Sequence, residues 1–164
     1  MKVYRLLLVA AAIFPSCHRP DHHETTNMNL QARNDISGLA AFMNIPGTPL
    51  KARWLKIERS KNSTLGSADF ILFAVLEYDT SEAGTLIKKM GAPPDNETIA
   101  LTAAQAGSLF SPDQTKNMRK IEGDDVEAPG KLFGAELFAK APFLHGKAVA
   151  VEGSNLLLIS LFTM

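Results

Sequence analysis

The chain has 164 residues, 46% hydrophobic and 21% charged, with 17 Lys+Arg against 17 Asp+Glu. That length suits one domain of roughly 100–150 residues, and balanced charge argues against non-specific nucleic-acid binding, which needs a basic excess. One cysteine excludes a disulfide framework and any Cys-rich zinc or iron–sulfur site, and no cofactor is expected.

Lys2 and Arg5 precede nine uninterrupted apolar residues, Leu6–Phe14. A membrane-spanning helix needs about 20 such residues, so this stretch reads as the apolar region of a secretory signal. Phe14-Pro15-Ser16-Cys17 follows. The Ser16-Cys17 pair resembles the lipobox of bacterial lipoproteins, where a small residue precedes a cysteine that is acylated and becomes the first residue. The resemblance covers 17 residues. It implies a signal peptide over 1–16, a lipid on Cys17 and a place in the cell envelope. By that family's sorting rule, His18 in place of aspartate favours the outer membrane, facing the periplasm or the surface. Phe14 and Pro15 depart from the usual pattern, so cleavage after Ala10-Ala11-Ala12, with Cys17 a free thiol, stays open. Removing 1–16 takes away Lys2 and Arg5 and leaves a net charge of −2. The mature protein is then expected to be held at the bilayer by its lipid alone.

Residues 17–34 read as the lipidated cysteine and a polar tether, and 35–164 as a single α+β domain. Ile36, Leu39, Ala40 and Met43 fall at helical spacing, with Asp35 as N-cap, and Ile45-Pro46-Gly47-Thr48-Pro49 ends that helix. Lys51–Arg59 predicts a strand with Leu55 and Ile57 on its core face and Trp54, Lys56 and Glu58 on the other. Asn62–Ser67 reads as a turn. Asp69–Tyr78, apolar on both faces, predicts a central strand. Ser81–Met90 is the clearest helix: Asp79 caps it, Glu82 stands at the third position, and Gly91 follows as the left-handed terminator. Thr102 and Gln105 form a capping box opening a helix through Phe110. Ser111-Pro112 opens another toward Lys120.

Glu122–Gly130 reads as a loop, and 131–140 is ambiguous, with a strand preferred. Lys147–Glu152 and Asn155–Thr163 flank Gly153-Ser154 as a hairpin. Its register places Val149 opposite Leu158 and Val151 opposite Leu156, with room for a helix against Ala148 and Ala150 on the opposite face and both sides covered. The sum is an α+β fold, a small mostly antiparallel sheet of four or five strands with two to four helices.

Few residues suggest chemistry. His18, His22 and His23, with Asp21 and Glu24, resemble a metal-gathering cluster, yet they sit in a polar tether with nothing to orient them. His145 is the remaining histidine, and no G-x-S-x-G elbow offers it a serine. Glu122, Asp124, Asp125 and Glu127 crowd one segment without the EF-hand spacing. Asp79 and Glu82 are explained by capping. Trp54, with Lys56 and Glu58, is a candidate interface anchor if solvent reaches it, and core packing if it does not.

These absences lean away from catalysis. The expectation is an envelope lipoprotein that binds a macromolecule: an inhibitor, an immunity protein or an accessory subunit. Its partners would be the bilayer, through Cys17, and an envelope protein, with no nucleic acid. The alternative is a small hydrolase or small-ligand binder with a site near His145 and the 122–127 segment.

Overall fold

The structure, a computed structural model, describes residues 30–58, 69–93 and 95–163. Cys17, the histidine cluster and the turn expected at Asn62–Ser67 lie outside them. The fold is α+β. Five antiparallel strands form the main sheet: β1 (Lys51–Glu58), β2 (Phe70–Glu77), β6 (Gly130–Gly134), β7 (His145–Val151) and β8 (Leu156–Phe162), in the order β1-β2-β8-β7-β6. Beside it lies a smaller sheet of β3 (Ala100–Thr102), β4 (Arg119–Lys120) and β5 (Asp125–Glu127), in the order β3-β5-β4. The helices are α1 (Ile36–Leu39), α2 (Thr80–Lys89), α3 (Ala103–Leu109) and α4 (Pro112–Thr115). Among the described residues, no helix is long and apolar enough to cross a membrane.

β2 and β8 sit inside the sheet, which is why their sequences are apolar at nearly every position. Alternate side chains feed two cores. On one face, Leu72, Ala74, Leu76, Ala148, Leu157 and Ile159 pack with Ala83 and Leu86 of α2 and with Leu39 and Met43. On the other, Phe73, Val75, Val149, Leu156 and Leu158 pack with Ala106 and Leu109 of α3 and with Leu101. The hairpin has the expected register, with Val149 opposite Leu158 and Ala150 opposite Leu157. The connection is longer than the expected two-residue, glycine-first turn: Glu152–Asn155 join the strands, and the Ser154 N–H donates to the Val151 carbonyl at 3.3 Å. Gly153 is third in that turn with φ +68°, a conformation that costs other residues about 1–2 kcal/mol. Helices cover both hairpin faces, and the alanines of β7 leave room for α2.

Local signals set the helix starts. Asp79 accepts from the Glu82 N–H at 2.9 Å, and Thr102 with Gln105 and Ser111 with Gln114 close reciprocal capping boxes. Glu82 does not reach back to Asp79. Its carboxylate accepts from the Thr48 N–H at 2.8 Å instead, tying the Pro46–Pro49 loop to α2.

Several expectations are corrected. The domain is joined before Asp35: the backbones of Arg33 and Trp54 exchange hydrogen bonds, and Leu30 and Ala32 pack against the second core. Asp35 stands at the N-cap of α1, but its carboxylate bonds to Arg33 and caps nothing. α1 therefore runs a single turn, although Leu39 and Met43 are buried as their spacing implies. α2 ends by an extended Met90 (φ −71°, ψ 136°), not by a left-handed Gly91. The Gly91 carbonyl accepts from the Gly134 N–H at 3.2 Å, so sheet bonding draws the chain out of the helix. α4 stops at Thr115, and Arg119–Lys120 pairs with β5, a strand inside the segment read as a loop. Of residues 131–140, only 131–134 continue β6, with turns after them.

Candidate functional site

β1 is an edge strand, and its two faces are covered unequally along its length. Ala52 and Trp54 enter the first core, and Leu55 enters the second. Lys56 and Glu58 are exposed. Trp54 is only 2% exposed. Its indole N–H donates to the Asp35 carbonyl at 3.1 Å, its ring meets Phe42 at 5.6 Å, and the Arg33 guanidinium lies 4.4 Å above it. Trp54 is thus packing in this domain and not a solvent-facing anchor. The segment 30–43 folds over the face that alternation alone leaves open. Lys56 stays at the surface, with its ammonium 4.1 Å from the Phe70 ring centre and 4.9 Å from that of Phe42.

His145 and the acidic residues do not belong to one structural unit. His145 opens β7 of the large sheet, exposed, with its ring stacked on Phe162 at 5.9 Å. Asp125 and Glu127 belong to the small sheet, where the half-buried Glu127 carboxylate accepts from Arg119 at 2.7 Å. Val126 between them packs on the second core, which turns that acidic run into a strand. Asp79 and Glu82 serve as cap and loop tie. Among the described residues, no group of three or more His, Cys, Asp or Glu side chains is placed to hold a metal ion.

The surface depressions lie elsewhere. One of about 410 Å³ sits where the hairpin tip meets β1 and α4, with Lys51, Glu77, Gln114 and Asn155 around it. Lys51 and Glu77 pair across it at 3.1 Å. Two others meet at Leu30 and Gln31, on either side of the segment that crosses the edge of β1. The first, about 410 Å³, holds Arg53 with Asn34 and Ser108. The second, about 480 Å³, holds Arg33 and Lys56 beside Phe42 and Trp54. Ser108 fixes this segment by donating its hydroxyl to the Leu30 carbonyl.

Arg33 is charge-matched locally by Asp35. Partial desolvation would raise that carboxyl, but the hydrogen bonds and charge of Arg33 hold it below its ordinary range. Sequence reading singled out neither Arg33 nor Arg53. The signal was present in the period-two alternation of Leu30 and Ala32 with Gln31 and Arg33, which marks an extended segment lying on a core.

Against protein-family models, curated proteins and solved structures, no match to this chain was found.

Proposed function

We propose that this chain is an envelope lipoprotein, anchored through acylated Cys17, whose α+β domain is a non-enzymatic module that binds another macromolecule. The observation that carries the reading is the N-terminal order: Lys2 and Arg5, then nine apolar residues, then Ser16-Cys17. Acylation suits that order, because burial of lipid gains about 0.8 kcal/mol per CH₂ and two chains make anchoring durable. Cys17 also stands only 13 residues before Leu30, the first described residue, which packs against the second core. Fully extended, that interval spans at most about 45 Å, so the domain works close to its membrane. Binding to a partner fits the rest: among the described residues His145 and the acidic run belong to different sheets, and both faces of the main sheet are committed to cores.

The test is Cys17→Ser expressed with the full signal. The wild-type protein should sediment with membranes and carry acyl mass on residue 17. The variant should be released or stall as an uncleaved precursor. Unchanged membrane association, with no acyl mass on the wild type, would remove the anchoring reading. For the module, crosslinking of the native lipoprotein in intact cells should give one discrete adduct with an envelope protein. Turnover of a small substrate by the purified domain would favour a hydrolase instead.

A further inference from the structure

We propose that the rim around Leu30, carrying Arg33, Arg53 and Lys56, rests on the anionic surface of the membrane that holds the protein. The inference rests on the anchoring reading, although its test does not. Net charge hides this rim. The mature chain is slightly acidic as a whole, yet three exposed cations line the two depressions that meet at Leu30 and Gln31.

Their placement follows from the edge strand. Arg33 crosses the edge of β1 at Trp54, so Arg53 emerges on one side of the crossing segment and Lys56 on the other. Stacking over Trp54 fixes the Arg33 guanidinium, and the Phe70 and Phe42 rings fix the Lys56 ammonium. Neither depression is lined by a carboxylate; among the described residues the acidic groups nearest in the fold are Asp35, already paired with Arg33, and Glu58 and Asp69 at the far end of the β1–β2 pair. The lining of the two depressions is therefore basic.

Position selects the partner. Leu30, the first described residue, follows Cys17 by only 13 positions, so the rim lies within short reach of the anchor. Anionic headgroups attract each nearby Lys or Arg, strengthening binding about fivefold per cation, and the attraction fades within a Debye length. Three cations alone give weak binding to a free surface. A short tether converts weak attraction into occupancy by raising the local concentration of that surface. The anchor would then hold the domain in one orientation, with the α2 face and the β6 edge left for a partner.

The experiment uses the chain from residue 17 with Cys17→Ser, which carries no lipid, with vesicles of phosphatidylglycerol and phosphatidylcholine or of phosphatidylcholine alone. It is run at low ionic strength and in large lipid excess, where weak attraction to a free surface is measurable. Co-sedimentation should need phosphatidylglycerol and fall steeply as salt rises. Replacing Arg33, Arg53 and Lys56 together by Gln should weaken it on the order of 100-fold. Replacing Lys88, Lys89 and Lys131 by Gln should leave it unchanged. Circular dichroism checks that both variants fold, and Arg53→Gln with Lys56→Gln, which spares the Arg33–Asp35 pair, should retain most of the loss. Equal sedimentation of the two triple variants, or of the wild type with both vesicles, overturns the proposal. Preference for soluble polyglutamate over the anionic vesicles also overturns it, in favour of an acidic protein partner. Because this chain is unacylated, failure here leaves the Cys17 assignment intact, and failure of that assignment leaves this result standing.

Discussion

The indole N–H of Trp54 donates to the backbone carbonyl of Asp35 across 3.1 Å, so the segment before α1 is bonded directly to the edge strand it covers. The ring is shielded by that segment and by Phe42, which meets it at 5.6 Å. Trp54 is the only tryptophan, so emission reports on it alone. Its fluorescence should be blue-shifted and resist iodide quenching. Trp54→Ala should cost about 3–5 kcal/mol in urea unfolding. Red-shifted, readily quenched emission would show that the segment does not cover the ring in solution.

Tyr78 locks a second loop. Its hydroxyl donates to the Pro46 carbonyl at 3.0 Å, and burial, with Glu82 nearby, pushes its pKa well above the ordinary tyrosine value. Tyr78→Phe removes the donor and leaves the carbonyl to find water. The expected cost is about 0.5–1.5 kcal/mol, read as a lower urea midpoint with an unchanged slope.

Lys147 ties the loop before β3 to β7. Its ammonium lies against the Asp95 carboxylate at 2.5 Å and donates to the Glu97 carbonyl at 3.0 Å. The hydrogen bond from Lys147 is the main reason that the Asp95 carboxyl titrates below its ordinary 3.8. A carboxyl depressed in the folded state stabilises above its unfolded pKa, and that stability is lost as pH falls through the folded one. Asp95→Asn should therefore lower the thermal midpoint near pH 6, and the gap from wild type should close as pH falls below about 4. A gap constant across that range would show that the carboxylate contributes nothing through its charge.

Gly146 sits where β7 and β8 pair, and a Cβ there would meet the Ser160 carbonyl. Backbone cannot move aside cheaply between two sheet strands. Gly146→Ala should cost about 1–3 kcal/mol, whereas Gly107→Ala, with open space around it on α3, should be neutral or mildly stabilising. Comparing the two unfolding curves tests whether this pairing is as tight as described.

Much of the fold was legible because local chemistry and the global pattern agree. Gly153 marks the hairpin and its register, although not its turn length, and the two-faced apolar run of Phe70–Glu77 states that β2 is central. Trp54 was harder. Alternation assigns a whole strand face one environment, yet along β1 cover ends between Trp54 and Lys56, and the charged neighbours disguised the buried ring. β5 escaped notice because Asp125 and Glu127 read as loop residues, while backbone pairing to β3 and the inward Val126 make the strand. The basic rim needed the fold itself. Arg33 and Arg53 are 20 residues apart in the chain, and only the Arg33–Trp54 bridge brings them beside Leu30.

That bridge also decides how the domain carries load. A pull on the chain upstream of Leu30 does not reach the five-stranded sheet first. It meets the two Arg33–Trp54 backbone bonds, of 2.9 and 2.8 Å, and the Ser108 hydroxyl on Leu30. A few bonds at one edge yield well before paired eight-residue strands such as β1 and β2. Under tension the segment from Leu30 would peel away and bare the Trp54 ring, with the remaining strands still paired. The joint between that segment and the sheet edge is a mechanical fuse.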